Sequence, residues 1–98
     1  MSAYVFGEIE VTDPDLYEEY RRLVLPVVQK YGGRFIVRGG TIETLEGGWA
    51  PRTVIVVEFS DVERARTWYR SPEYAEALAV RDEALGRNLI LVAGISTT

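Results

Sequence analysis

The sequence predicts a single α+β domain over residues 1–98, with the element order βαββαβ. Two stretches read as strands: residues 3–11 alternate between apolar and polar or aromatic side chains, and residues 52–59 are β-branched and nearly all apolar. Residues 14–31 instead repeat apolar side chains at helical spacing. Two strand–helix–strand units with right-handed crossovers give a four-stranded antiparallel sheet with both helices on one face, which is the ferredoxin-like arrangement.

The first strand and the first helix follow from local signals. In residues 3–11, one face is small and apolar, and the other mixes aromatic and acidic side chains. Thr12 or Asp13 is the expected helix cap, because Pro14 is suited to the first helical position. Pro26 lies inside the helical pattern and should bend the helix. The apolar stripe continues in phase beyond Pro26, so we expect one bent helix rather than two.

Glycines delimit the middle of the chain. Gly32 is the expected end of the first helix, and residues 34–38 then alternate as a second strand. The pair Gly39–Gly40 is expected to form a bulge, beyond which residues 41–46 could extend that strand. The run at 52–59 is the expected central strand and closes a hairpin with the second strand.

The last third predicts a broken helix and a strand. Ser60 and Glu63 have the spacing of a capping box, which predicts a helix start at this point. Ser71–Pro72 interrupts the helix and begins a second segment, because the residue before proline avoids helical angles. Gly86 is the expected end of that segment, and residues 89–95 form the last strand.

Composition excludes several kinds of chemistry. The chain has no cysteine and no histidine, which removes thiolate nucleophiles, zinc–thiolate sites and the commonest general base. Chemistry would then come from carboxylates, tyrosines, arginines, Lys30, hydroxyls or a borrowed cofactor. No carboxylate spacing resembles a metal-binding loop, so no metal ion is expected, and no cofactor is expected either. The net charge of −4 argues against a nucleic-acid partner, since such proteins carry a concentrated basic face. No apolar run reaches the length of a membrane span, and the N-terminus does not read as a signal peptide, so we expect a soluble cytoplasmic protein.

Helices can cover only one side of the predicted sheet, and the other side is too apolar for a monomer. We therefore expect a homodimer that packs sheet against sheet. Its charged members should pair with one another or with a ligand in a cavity between the subunits. With the alternation phased in this way, the uncovered residues are Tyr4, Phe6, Ile36, Val54 and Val56, together with Glu8, Arg38 and Glu58.

Two cations and two acids are the charged candidates for a site. Arg38 lies on the uncovered sheet face, and Arg81 interrupts the apolar stripe of the last helix. A structural salt bridge to Glu8, Glu58 or Glu46 explains each arginine, and so does a small carboxylate or enolate ligand, because guanidinium groups bind carboxylates bidentately. Glu8 or Glu58 could act as a base if burial raised its pKa, whereas an ion pair would lower that pKa.

Three aromatic residues flank the break in the last helix. Trp68 is expected in the core, with a ligand contact as the alternative. Tyr69 and Tyr74 carry hydroxyls that need partners if they are buried, so they are expected either to pack or to line a cleft. Tyr69 is also a candidate for proton transfer.

Four motifs resemble a known family. They are Tyr-Gly-Gly-Arg-Phe-x-Val-Arg-Gly-Gly at 31–40, Leu-Glu-Gly with a following tryptophan and arginine at 45–52, Val-Glu-Phe at 57–59, and Ala-x-x-Trp-Tyr-x-Ser-x-x-Tyr at 65–74. The sequence resembles domain-of-unknown-function family 1330, within the dimeric α/β-barrel superfamily. The resemblance implies a ferredoxin-like fold and a dimeric barrel, and no particular activity. Superfamily members include cofactor-independent monooxygenases, isomerase-like enzymes and haem-degrading enzymes; the absence of histidine sets the last aside.

Three functions are compatible with these patterns. The first is a homodimer that binds a small organic, carboxylate-like molecule. The second is a cofactor-independent monooxygenase or isomerase-like enzyme acting on a small organic acid or phenolic compound. In that case, Arg38 would orient the substrate, and Glu58 or a tyrosine would transfer a proton. The third is a purely structural dimerisation domain with a filled interior.

Overall fold

The computed structural model describes residues 1–95, and within them the side-chain surroundings of all but residues 79–85. Its elements alternate in the predicted order, with the last helix divided in two. They are β1 (Ala3–Val11), α1 (Pro14–Lys30), β2 (Arg34–Arg38), β3 (Thr53–Phe59), α2 (Val62–Tyr69), α3 (Pro72–Ala84) and β4 (Leu85–Ala93). No helix in this part of the chain is both long enough and apolar enough to cross a membrane.

The four strands form one antiparallel sheet in the order β2-β3-β1-β4, which confirms the ferredoxin-like arrangement. The edges are β2 and β4, and β4 is nine residues long. This last strand begins at Leu85, earlier than expected, and Gly86 lies within it rather than at the end of a helix. The predicted break at Ser71–Pro72 is present between α2 and α3.

Alternation along β1 separates the two faces of the sheet. Ala3, Val5 and Ile9 are buried and face the helices, as do Ile55 and Val57 of β3. The intervening residues lie on the other side, here called the open face, which no helix covers. The open face comprises Tyr4, Phe6, Glu8, Val37, Val54, Val56, Glu58, Ile90 and Val92.

Helix α1 has defined caps at both ends. The Asp13 carboxylate accepts hydrogen bonds from the backbone N–H groups of Asp15 and Leu16, at 3.1 and 3.2 Å. The helix passes through Pro26 and ends at Lys30. Beyond it, Gly32 has φ = +82°, and the N–H of Gly33 bonds to the carbonyl of Val28 at 2.9 Å. This is a Schellman ending, which requires the left-handed conformation that glycine adopts without strain.

A bulge in β2 reverses the predicted facing of Arg38. Phe35 is opposite Val57 and Val37 is opposite Val56, so Ile36 is an extra residue between the two pairs. Because successive strand residues alternate, this insertion moves Val37 onto the open face and Arg38 onto the helix side. The expectation that Arg38 and Ile36 share the open face as regular strand positions was therefore wrong.

Two local predictions after β2 were also wrong. Residues 41–46 form no strand, because Gly39 and Gly40 adopt positive φ values of 75° and 97° and lead the chain into a long loop. Helix α2 is capped by Asp61, whose carboxylate accepts from the Arg64 N–H at 2.8 Å, and not by Ser60. An ionised carboxylate one residue later is the stronger acceptor for the positive end of this helix.

The turn after α1 predicts a clear stability effect at Gly33. A Cβ atom there would lie 2.6 Å from Phe59 Cε1 and 2.9 Å from Val28 Cγ1, both in the core. We expect Gly33→Ala to lower the free energy of unfolding by about 1–3 kcal/mol through overpacking, as measured by urea denaturation. The control is Gly48→Ala, since nothing lies within 4 Å of a Cβ at Gly48. Equal stabilities of the two variants would contradict the close approach.

Candidate functional site

A small cavity lies between the helix-facing side of the sheet and the helices. Its volume is about 30 Å³, and it is not fully enclosed. Apolar side chains form most of its wall, and three arginines and two tyrosines form the rest. We call this the inner cavity; it is lined by Ile9, Tyr17, Tyr20, Arg21, Val24, Leu25, Phe35, Arg38, Ile55, Val57, Trp68 and Arg87.

Arg87 is the centre of a hydrogen-bond network at this cavity. Its Nη1 donates to the Tyr20 hydroxyl at 2.6 Å, and its Nη2 donates to the Tyr74 hydroxyl. The two hydroxyls are 3.1 Å apart and hydrogen-bonded to each other. The guanidinium carbon also lies 5.7 Å from the Tyr20 ring centroid and 5.5 Å from the Tyr74 centroid. Both ring faces and both hydroxyls therefore stabilise the cation.

Two of the three arginines that line the inner cavity have no carboxylate partner within the part of the chain that the structure describes. Among these residues, no carboxylate lines the cavity, and neither Arg38 nor Arg87 makes a salt bridge. Arg38 lies over the Phe35 ring, with 5.5 Å between guanidinium carbon and centroid. The third arginine, Arg21, pairs with Glu18 at 2.9 Å. A half-buried arginine without a carboxylate partner makes an environment that attracts anions.

Burial raises the pKa of the Tyr17 hydroxyl above its ordinary value, and the positive charge of Arg21 acts in the opposite direction. Arg38 also lowers this pKa to a smaller extent. Tyr17 therefore remains a neutral hydrogen-bonding group at physiological pH.

Ser71 positions the aromatic wall of the site. Its hydroxyl donates to the Trp68 carbonyl at 2.8 Å and accepts from the Tyr74 N–H at 3.1 Å, so that it joins the end of α2 to the start of α3. Such a cap contributes about 1 kcal/mol. The Trp68 and Tyr74 rings consequently pack with centroids 4.5 Å apart. Tyr74 is completely buried directly behind the cavity wall.

The Trp68 indole N–H is buried without a hydrogen-bond partner among the described residues. The whole side chain is only 3% exposed. A buried donor left in this state costs about 1–3 kcal/mol. A bound molecule that offered an acceptor would recover this cost.

Among the predicted ligand-binding residues, Arg38 and Trp68 line the inner cavity, and Tyr74 contacts it through Arg87. Arg38 arrives there because of the bulge in β2, on the opposite side of the sheet from the predicted one. Arg81 lies in α3 among the residues whose side chains fall outside the description. Tyr69 does not line the inner cavity and is 47% exposed.

The two candidate bases lie on the open face, away from this cavity. Glu58 bonds to Arg34, at 2.8 Å to Nε and 2.7 Å to Nη2. That hydrogen bond lowers the pKa of the Glu58 carboxyl, which disfavours a role as a base at neutral pH. Glu8 accepts a hydrogen bond from the Trp49 indole. Among the described residues, Arg38 therefore pairs with neither of these carboxylates, although such a pairing was one of the two expected alternatives for this arginine.

Sequence reasoning missed Tyr20 and Arg87 as site residues. Tyr20 has the helical spacing of the apolar stripe of α1, and its ring packs in the core. Arg87 lies opposite Ile9 in the β1–β4 register and thus faces the helices. The position of Arg87 could have been predicted from the sequence, because alternate residues of a strand lie on the same face of the sheet. Arg87 therefore shares a face with Leu89 and Leu91, which also lie on the helix side.

The open face presents a separate apolar surface. Val37, Ile90 and Val92 are each more than a third exposed on it. The loop after β2 reaches back over this face, where the Trp49 ring packs 6.1 Å from the Phe6 centroid. In the described part of the chain, no cluster of acidic side chains could hold a metal ion.

The fold and the arginine–tyrosine cavity define a small ferredoxin-like protein with an internal polar centre. Comparison with protein families gives the particular assignment: the chain belongs to the domain of unknown function family DUF1330, whose model matches residues 2–95. No functionally curated protein matches the chain.

Solved structures support the same fold. A protein of unknown function from Rhodopseudomonas palustris is 22% identical, with a TM-score of 0.75 over 97% of this chain and 83% of that chain. SnoaB, a cofactor-independent oxygenase from Streptomyces nogalater, is 12% identical, with a TM-score of 0.71 over 98% of this chain and 95% of that one. A dimeric protein of unknown function with a ferredoxin-like fold from Bacteroides fragilis is 10% identical, with a TM-score of 0.62 over 95% and 96%.

The Arg34–Glu58 pair predicts a pH dependence of stability. Because the pKa of Glu58 is lowered in the folded state, its stabilising contribution is present above the unfolded pKa. It is lost as the pH falls through the folded pKa. We expect Arg34→Gln to raise the Glu58 pKa in a carboxyl NMR titration and to be less stable than the wild type only above that range. A Glu58 pKa that does not respond to Arg34→Gln, or that responds equally to Arg22→Gln at an exposed position, would contradict this pairing.

Proposed function

We propose that this protein is a homodimer that binds a small organic carboxylate at Arg87 in the inner cavity. The observation that carries the proposal is a half-buried guanidinium with two phenolic partners and no carboxylate partner among the described residues. A guanidinium has five N–H donors, so Arg87 retains donors after bonding to Tyr20 and Tyr74. Arg38 supplies a second positive charge to the same space.

The size of the inner cavity favours a carboxylate head group. A volume of about 30 Å³ accommodates roughly two water molecules. The two oxygens of a carboxylate would replace those waters and accept charge-assisted hydrogen bonds from Arg87. Trp68, whose indole N–H has no partner among the described residues, forms part of the cavity wall.

We expect Arg87→Gln to abolish this binding. Loss of a charge-assisted hydrogen bond lowers affinity by at least about tenfold. The measurement is an NMR titration of the protein with acetate, which reports weak binding through chemical shifts. Arg22→Gln is the matched control, since Arg22 is exposed on α1 and lines neither the inner cavity nor the larger recess beside α2. Acetate shifts that survive in Arg87→Gln would overturn the proposed site.

The exposed apolar side chains of the open face support the proposed homodimer. These valine and isoleucine side chains form a surface that water solvates poorly. Two copies that packed these faces together would bury it and form a closed two-fold assembly. The dimeric neighbour from Bacteroides fragilis has the same fold.

Sedimentation velocity tests this assembly. We expect a dimer for the wild type and a monomer for Val92→Lys, because the introduced ammonium would be buried without a partner in the interface. Leu23→Lys is the control, since Leu23 is similarly exposed, at 41% against 45%, but lies on α1. A monomeric wild type, or a dimer that both substitutions leave intact, would contradict the open-face interface.

Cofactor-independent oxygenation of a phenolic compound is the second candidate. It is favoured by the packed Trp68–Tyr74 pair beside Arg87 and by the fold similarity to SnoaB. Such a substrate must itself supply the electrons that reduce dioxygen, and Arg87 would stabilise its phenolate. Oxygen uptake with a panel of dihydroxyarenes, lost in Arg87→Gln and retained in Arg22→Gln, would favour this candidate over simple binding.

A further inference from the structure

A second recess lies between α2 and the edge strand β4, beside the inner cavity. Its volume is about 360 Å³, within the range of small-molecule pockets. Its surface is mainly apolar, with two arginines among the lining residues. We call this the outer groove; it is lined by Val5, Ala65, Arg66, Trp68, Tyr69, Arg70, Leu89, Ile90 and Leu91.

Trp68 separates the outer groove from the inner cavity. Within the described residues, it is the one side chain that lines both spaces. Its indole N–H has no hydrogen-bond partner there, so displacing the ring breaks no such bond. The ring is instead held by packing against Phe59, Tyr69 and Tyr74, at centroid distances of 5.5, 6.1 and 4.5 Å.

We propose that the ligand is an aryl-substituted carboxylate that occupies both spaces, with Trp68 as a movable partition between them. The carboxylate lies at Arg87, and the aromatic body lies in the outer groove against Tyr69. This inference rests on the proposed binding function and names the class of molecule bound. It also explains how a cavity with room for about two waters serves an organic ligand.

The groove has the chemistry that such a body requires. Val5, Ala65 and Leu89 supply apolar surface, and Tyr69 presents a half-exposed ring. An aromatic ring in this position would pack against Tyr69 in an offset or edge-on geometry. Arg66 and Arg70 are both exposed, and Arg66 pairs with Glu63 at 2.7 Å. Arg70 therefore supplies the positive charge that attracts an anion toward the groove before the carboxylate reaches Arg87. A cationic or long polar ligand would gain none of these contacts.

The experiment compares two carboxylates, of which only one carries an aromatic ring. Acetate carries the head group alone, and 3-phenylpropionate adds a short linker and a ring. The protein carries Trp49→Phe, because the chain has two tryptophans and this change leaves Trp68 as the single fluorescent reporter. Affinity is measured by NMR titration, and the accessibility of Trp68 is measured by acrylamide quenching.

Three variants in the Trp49→Phe protein locate the body of the ligand. We expect Tyr69→Ala to weaken 3-phenylpropionate about threefold to tenfold and to leave acetate unchanged, because only the ring reaches Tyr69. Tyr69→Phe keeps the ring and should retain the affinity. Tyr31→Ala is the control, since Tyr31 lines neither space. Quenching of Trp68 should rise with 3-phenylpropionate and not with acetate.

The outcomes separate this inference from the function on which it rests. If both anions bind in an Arg87-dependent manner but Tyr69→Ala changes neither affinity, the aromatic part of the ligand does not bind in the outer groove, and the inference is overturned. Unchanged quenching of Trp68 on binding of 3-phenylpropionate would likewise overturn the movable partition. If neither anion binds, or if binding survives Arg87→Gln, the proposed function itself fails.

Discussion

The contact between Arg87 and the hydroxyls of Tyr20 and Tyr74 joins three elements, β4, α1 and α3, at one point. A cation between sheet and helices is costly unless hydrogen bonds and aromatic faces replace its water shell. Here both are present, so the charge can be kept inside the fold without a described carboxylate beside it. The same hydrogen bonds hold Arg87 in the wall of the inner cavity and leave its positive charge accessible from the cavity.

The aromatic wall depends on a short connection between helices. Ser71 links the last turn of α2 to the first turn of α3, and this places Trp68 against Tyr74. Trp68 then divides two spaces of very different size, about 30 and 360 Å³. The cationic inner cavity and the mainly apolar outer groove are thus separated by one side chain.

Element order and sheet faces were predictable because the alternation in β1 is regular and the helix stripes are long. The facing of Arg38 was not, since the bulge at Ile36 depends on how β2 pairs with β3 and leaves no mark in the local pattern. The prediction that Ser60 caps α2 was wrong because the adjacent Asp61 is also a suitable N-cap residue, and the sequence alone does not decide between them. Trp68 and Tyr74 were candidates because they flank the break in the last helix, whereas Arg87 required the register that sets it opposite Ile9.

The edge strand β4 has a consequence for how newly made copies of the chain behave. Its segment at 89–93 carries neither charge nor proline, and Ile90, Leu91 and Val92 are exposed. Charged residues and proline commonly protect the edge strands of natural proteins, because an unprotected edge strand otherwise pairs with strands of other molecules. Newly made copies at high concentration would therefore face a kinetic competition between folding and edge-to-edge aggregation. Slow synthesis at low temperature would favour the soluble product.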